Sequence, residues 1–204
     1  MDELINAVKQ AETSAQMVTA VKNLAAAKDP KAVSTLIAVF GYNNPAAAVV
    51  AVTGLTELGE MAVPQLLEQI DDYNYGARAY SIRTLAAIAD PRALDVLIST
   101  AATDFAPSVR RAAAKGLGNL NWSQLGMAER QTAINRALET LLLICQDTDW
   151  SIRYAAIVGL QALAKIAEIR ETILTFFQEM LANDSEQAVC ARIQLASSSL
   201  GLTT

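Results

Sequence analysis

Apolar positions recur along most of this chain at the three-and-four spacing of helices, and short polar turns interrupt them. The segment that begins at Asn74 shows the pattern well. Ala77, Ser81, Thr84, Leu85 and Ile88 form one stripe, and Asn74 stands where its side chain can accept an otherwise unpartnered N–H of the first turn. The same spacing predicts helices over residues 4–11, 15–26, 32–39, 46–58, 63–70, 93–100, 132–145, 168–182 and 185–200. Pro30, Pro64 and Pro91 fall at first-turn positions, where proline loses no hydrogen bond. Gly41, Gly59 and Gly118 fall where helices should stop.

The helices repeat. One row of equivalent positions reads Ala48, Arg78, Arg110, Arg153 and Cys190. Six residues before it lies a second row, Tyr42, Asp72, Asp104, Asp147 and Asp184, and seven after it a third, Leu55, Leu85, Leu117, Leu160 and Ser197. The longest interval follows from an insertion around 119–130. Each unit has a preceding helix, and helix pairs of this period bury their apolar faces by stacking into a solenoid. The Asp–x5–Arg frame, followed by Ala-rich packing positions, resembles HEAT repeats. The expected fold is an all-α, HEAT-like solenoid of about five helix pairs in a single domain 1–204, with N-terminal helices over 1–28, repeats over 29–200 and a tail at 201–204.

Composition narrows the function. Apolar residues make up 52% of the chain and aromatics 5%, which suits closely packed helices. With 21 acidic against 16 basic residues, a net charge of −5 and no long basic run, the cationic footprint of a nucleic-acid binder is missing. Met1-Asp2-Glu3-Leu4 lacks the basic and apolar regions of a secretory signal. The charge-free stretch 32–56 is broken by Gly41-Tyr42-Asn43-Asn44-Pro45, so two short helices are expected rather than a membrane span. Cys145 and Cys190 sit among apolar neighbours without CxxC spacing and read as reduced, packed thiols of a cytoplasmic protein. There is no histidine, which removes His-based general bases, triads and zinc sites, and no Gly-rich phosphate loop. No metal site is expected. The carboxylate pairs Asp71-Asp72 and Asp147/Asp149 could do acid–base work, but caps or inter-repeat salt bridges account for them more simply.

Arg78, Arg110 and Arg153 admit two readings. They can hold a ligand carboxylate in bidentate fashion, or pair with an Asp of an adjoining unit to form a ladder; the rows follow the repeat, which favours the ladder. Residues that break the repeat are stronger binding candidates. Tyr80 stands where other units have Ala112 and Ala155, Asp72, Tyr73 and Tyr75 precede it, and Arg83 lies on the non-core side of its helix. One further unit adds Trp150, Arg153 and Tyr154, another Phe105, Arg110 and Arg111. Aromatics and cations at the starts of successive second helices would make a groove with flat walls and anionic specificity, core filling being the alternative for any single one. Helix 46–58 is apolar nearly all round. Its Val49, Val50, Val52 and Leu55 are either a partner surface or the inside of a helix covered by the N-terminal pair.

These features, with Asn74-Tyr75-Gly76-Ala77-Arg78-Ala79-Tyr80 and Asp90-Pro91-Arg92-Ala93-Leu94, resemble the E/F-type phycobilin lyases of cyanobacteria, and within them the beta, F-type subunits of the phycocyanin alpha-subunit phycocyanobilin lyase. The resemblance covers most of the chain. It implies a heterodimer with an E-type subunit that binds phycocyanobilin, an open-chain tetrapyrrole, as substrate and attaches it to a cysteine of apo-phycocyanin alpha. No cofactor is implied. The isomerising relatives carry an adjacent His-Cys pair that Ile144-Cys145-Gln146-Asp147 does not reproduce, so lyase activity without isomerisation is expected. Two other classes stay open. One is a HEAT adaptor of the phycobilisome-degradation type that grips phycobiliproteins without transferring bilin; the other is a HEAT-type DNA glycosylase, which the charge balance disfavours.

Overall fold

A computed structural model describes residues 1–70 and 74–201. Asp71, Asp72 and Tyr73 lie outside the described residues, so the two candidates among them have no structural account. Among the described residues the chain is all-α without strands, and it divides into two compact units, Met1–Ala93 and Leu94–Thr204.

The first unit contains α1 (Asp2–Lys9), α2 (Ser14–Ala26), α3 (Val33–Ala38), α4 (Pro45–Leu58), α5 (Val63–Glu68) and α6 (Tyr75–Ile88). Local chemistry fixes where they begin. Thr13 and Gln16 form a reciprocal capping box on α2, and Asn44 and Asn74 accept the N–H groups of Ala47 and Ala77 at 3.2 and 3.0 Å. Pro30 and Pro91 open 3-10 turns rather than α-turns, and Pro45 and Pro64 occupy first-turn positions of α4 and α5. The inner helices run in a row, α2 on α4 and α4 on α6, with α1, α3 and α5 behind their partners. Leu24, Leu36, Leu55, Leu66, Ile82 and Leu85 fill the space between the two layers.

In the second unit the inner row is α8 (Pro107–Leu117), α10 (Trp150–Leu163) and α12 (Gln187–Ser199), backed by α7 (Leu94–Thr103), α9 (Met127–Ile144) and α11 (Ala167–Asn183). Leu97, Leu117, Leu141, Ile152, Ile157 and Phe177 are fully buried there. The helix expected over 132–145 begins five residues earlier, at Met127. Residues 127–132 are exposed on every side, so no apolar stripe marks this stretch in the sequence. The rest of the insertion forms a 3-10 turn, Trp122–Gln124, with Trp122 buried.

Helix α4 corrects one expectation. Leu55 is fully buried with Ala47, Ala48, Ala51 and Leu58, so it belongs to the core of the first unit and to no partner surface. Val49 is 52% exposed, and Val50 and Val52 are half-buried. The helix is thus covered on one side, by α2, α3 and α6, and carries valines on the other.

Between α8 and α10 the backbones nearly touch. A Cβ on Gly118 would stand 2.0 Å from the carbonyl oxygen of Gly159, and one on Gly159 would stand 2.4 Å from that of Ala114. Only glycine allows this approach, and a methyl there must push the helices apart. Gly118→Ala should therefore destabilise the protein by about 1–3 kcal/mol, the usual range for overpacking. Urea unfolding followed by far-UV circular dichroism reads this directly, and an unchanged midpoint would contradict the packing described.

Candidate functional site

The arginine row resolves into structure. Arg110 donates through Nη2 to Asp147 Oδ2 at 2.6 Å and through Nε to the Ala101 carbonyl at 2.9 Å. Arg153 donates through Nε and Nη2 to the two oxygens of Asp184, at 2.7 and 2.9 Å, and through Nη1 to the Asp147 carbonyl. The aspartates close turns as well: Asp147 Oδ1 accepts from the N–H of Asp149, and Asp184 Oδ1 from that of Glu186. Hydrogen bonding to Arg153 holds the Asp184 carboxyl below the usual carboxylate range, against the opposing effect of burial. These are bidentate or multiply bonded pairs that link one helix pair to the next. Arg110 and Arg153 are therefore removed as groove candidates, because their guanidinium groups are committed to the ladder. Arg78 is buried in the first unit.

In the first unit, the repeat-breaking tyrosine lies beside a cleft. The Tyr80 ring stacks on Phe40 with centroids 5.5 Å apart and planes at 28°, and the Arg83 guanidinium lies 5.7 Å from the Tyr80 centroid. The cleft, about 290 Å³, is lined by Phe40, Asn43, Asn44, Asn74 and Tyr80, with backbone from Gly41 and Gly76. Its volume suits one planar ring rather than a large ligand. Asn43 takes a positive φ of 54°, a left-handed conformation that asparagine tolerates, and so turns the chain at the cleft mouth. Tyr75 is exposed at the start of α6. Phe40 and the three asparagines were not among the candidate binding residues of the sequence. Phe40 reads as core and is buried; only its stacking on Tyr80 gives it a place here.

The second unit offers a face along α10. Trp150 is 47% exposed and Tyr154 half-buried. Arg192, from α12, places its guanidinium 5.9 Å from the Tyr154 centroid, and Arg111, from α8, donates through Nη1 to Ser151 Oγ at 2.9 Å. Ser151 also bonds to Asp149, and those bonds are the main reason its carboxyl titrates below the ordinary value; the charge of Arg111 adds a smaller effect. Phe105 is exposed. Arg192 was not selected from the sequence, although it stands at the repeat position of Tyr80, Ala112 and Ala155, and that departure was the available signal.

No side chain here is an evident nucleophile. Burial pushes the Cys145 thiol up to about 12, so it stays protonated. Cys190 is turned to the Asp184 carbonyl, with its Sγ 3.2 Å away. Among the described residues no group of three or more His, Cys, Asp or Glu side chains could hold a metal, and no helix is long and apolar enough to cross a membrane. What the arrangement can do is hold a flat, anionic molecule against aromatic rings and cations.

Comparison with known proteins agrees with the repeat frame. A model of HEAT repeats matches residues 42–118 and 101–197. The chain is 68% identical to a phycocyanobilin lyase subunit beta of Nostoc sp. strain PCC 7120 over 97% of its own length and 98% of the relative's. It is 47% identical to the phycocyanin alpha phycocyanobilin lyase CpcF of Synechocystis sp. strain PCC 6803, over 95% and 91% of the two chains. It is also similar to a chain in the solved complex of CpcE and CpcF of phycocyanin lyase from Nostoc sp. PCC 7120, with a TM-score of 0.81, 71% identity, and 83% and 99% of the two chains covered.

The ladder makes a pH-dependent contribution to stability. Asp184 titrates lower in the folded than in the unfolded chain, so its stabilisation is complete above the unfolded value near ~4 and is lost as pH falls through the folded value. Asp184→Asn should cost about 1.5–3 kcal/mol at pH 7, the range for hydrogen bonds to charged groups. The difference between wild type and variant should stay constant above about pH 5 and close below about pH 4. Urea midpoints across that range measure it; a pH-independent gap would show that the pair contributes no charge effect.

Proposed function

This chain belongs to the phycocyanobilin lyase beta subunits, a HEAT-repeat family, and from that premise we propose how its residues serve the reaction. It is one subunit of a heterodimeric lyase for phycocyanin alpha, working with an E-type partner. The observation that carries this is identity of 68% to a lyase beta subunit across 98% of that relative, with a solved E–F complex behind it.

The chemistry explains why no catalytic side chain is needed. The sulfur of the acceptor cysteine bonds to the outer carbon of the bilin's ethylidene group. The π pair of that double bond takes up the thiol proton at the ring carbon. Nothing is oxidised or reduced and no group leaves, so neither a cofactor nor a metal has work to do. The nucleophile belongs to the protein substrate, and the lyase contributes by holding the bilin in a reactive pose and keeping other nucleophiles away. Restricting two reactants to a productive geometry lowers such a barrier by up to roughly 7–11 kcal/mol in favourable cases. With no histidine in the sequence, the His-Cys chemistry of isomerising relatives has no counterpart, and the product keeps the phycocyanobilin skeleton. The reaction belongs in the cytoplasm, where acceptor thiols stay reduced.

Tyr80 and Arg83, with Phe40 behind them, present a stacked, cation-edged wall to one pyrrole ring, and exposed Tyr75 lies at the same end of α6. Val49, Val50 and Val52 remain the candidates for contact with a protein partner.

Co-expression with the E-type subunit, apo-phycocyanin alpha and a phycocyanobilin-producing system should give a covalent adduct, seen by zinc fluorescence on a denaturing gel, that disappears when either lyase subunit is omitted. Adduct formed without this chain would overturn the assignment. In the same system Tyr80→Ala should slow adduct formation about tenfold, the loss expected of an aromatic stacking contact, with helicity unchanged. Tyr80→Phe should keep most of the rate; an Ala variant as fast as wild type would remove Tyr80 from the bilin site.

A further inference from the structure

The ladder consumes Arg110 and Arg153 but leaves two other arginines on one edge of α10. Arg192 is only 8% exposed. Its Nε is enclosed without an acceptor, while its two terminal nitrogens, which make no hydrogen bond either, keep contact with solvent. Arg111 reaches the same helix from the opposite neighbour, through Ser151. Ser151 and Tyr154 are three residues apart on α10 and so stand side by side on one face, with Arg111 at one and Arg192 at the other. Among the described residues neither arginine has a carboxylate within 4.0 Å, whereas Arg110 and Arg153 are both ion-paired.

A guanidinium whose Nε is shut away from water without an acceptor carries a costly unmet donor unless an anion accompanies it, and the face of one tyrosine offsets only part of that cost. Arg192 is therefore held ready, by Tyr154 and by burial of its stem, for a partner that none of the described residues supplies. The partner that suits a planar, forked donor is a carboxylate. We propose that Arg192, with Arg111 beside it, is the site that binds the propionate carboxylates of the open-chain tetrapyrrole, and that Tyr154 and Trp150 cover the adjoining pyrrole faces. This rests on the lyase reading above and deepens it. Two cations on one helix face match a ligand that carries two carboxylates on neighbouring rings. Arg192 is the principal group, because Asp149 lies close to Arg111 through Ser151 and screens it.

The test uses the complex with the E-type subunit, titrated by absorbance with phycocyanobilin as the free acid and as its dimethyl ester, which keeps the chromophore but removes both charges. Wild type should bind the acid about tenfold to hundredfold more tightly than the diester, the discrimination expected of charge-assisted hydrogen bonds. Arg192→Met should bring the acid most of the way down to the diester's affinity and leave the diester unchanged. Arg192→Lys should restore part of the difference, and Arg111→Gln should give a smaller loss confined to the acid. Equal binding of acid and diester by wild type overturns the carboxylate site and leaves the lyase reading standing. Equal loss of both ligands in Arg192→Met marks a structural role and overturns it too. If wild type binds neither ligand, the bilin-binding reading falls with it. Should Arg192→Met lose its helical signal, the wild-type comparison and Arg111→Gln decide the matter.

Discussion

The hydrogen-bonded pairing of an arginine in one repeat with an aspartate in the next is the constraint on which the second unit depends. Arg110 ties the end of its own first helix, at the Ala101 carbonyl, to Asp147, and Arg153 ties the Asp147 carbonyl to Asp184. Each aspartate also closes the turn that leads into the next inner helix. One pair thus sets both the spacing of the repeats and the entry of the chain into them. The charges are mostly buried, yet nearly every donor and acceptor is satisfied, and that is the condition under which a desolvated ion pair is worth keeping. With the pitch held in this way, α8 and α10 approach until only glycine fits at positions 118 and 159.

A frame built from the arginine row frees the neighbouring positions. The residue two places after the row is alanine in two units, where it fills space between inner helices, and tyrosine or arginine in two others. Tyr80 at this position stacks on Phe40 beside a cleft, and Arg192 lies over Tyr154 without an anion among the described residues. The repeat therefore separates two tasks that share residue types. Arg110 and Arg153, which hold the fold together, are paired with carboxylates, and among the described residues Arg83 and Arg192 are not.

The same division fits a lyase whose reaction is an addition. Its buried Cys145 stays protonated and does not compete with the acceptor thiol. In each unit an aromatic ring lies beside a cation, Tyr80 by Arg83 and Tyr154 by Arg192, an arrangement that suits a flat, anionic molecule.

The sequence by itself determined what is local or periodic. The helix pairs, the asparagine cap at Asn74, the Asp–Arg frame and its preference for a ladder can be read from spacing, because a cap acts within one turn and a repeat must match its neighbours. The resemblance to the lyase subunits was likewise carried by residues alone. The start of α9 was not legible, since residues 127–132 are exposed all round and leave no periodic trace. Tertiary structure alone decided which side of each helix met another. It sent Leu55 into the core, left Val49 outside, buried Arg78, and placed Phe40 under Tyr80. Among the described residues it also separated Arg192 from any carboxylate, and no sequence spacing could show this, because a charge is paired or unpaired only through groups brought near it by distant parts of the chain.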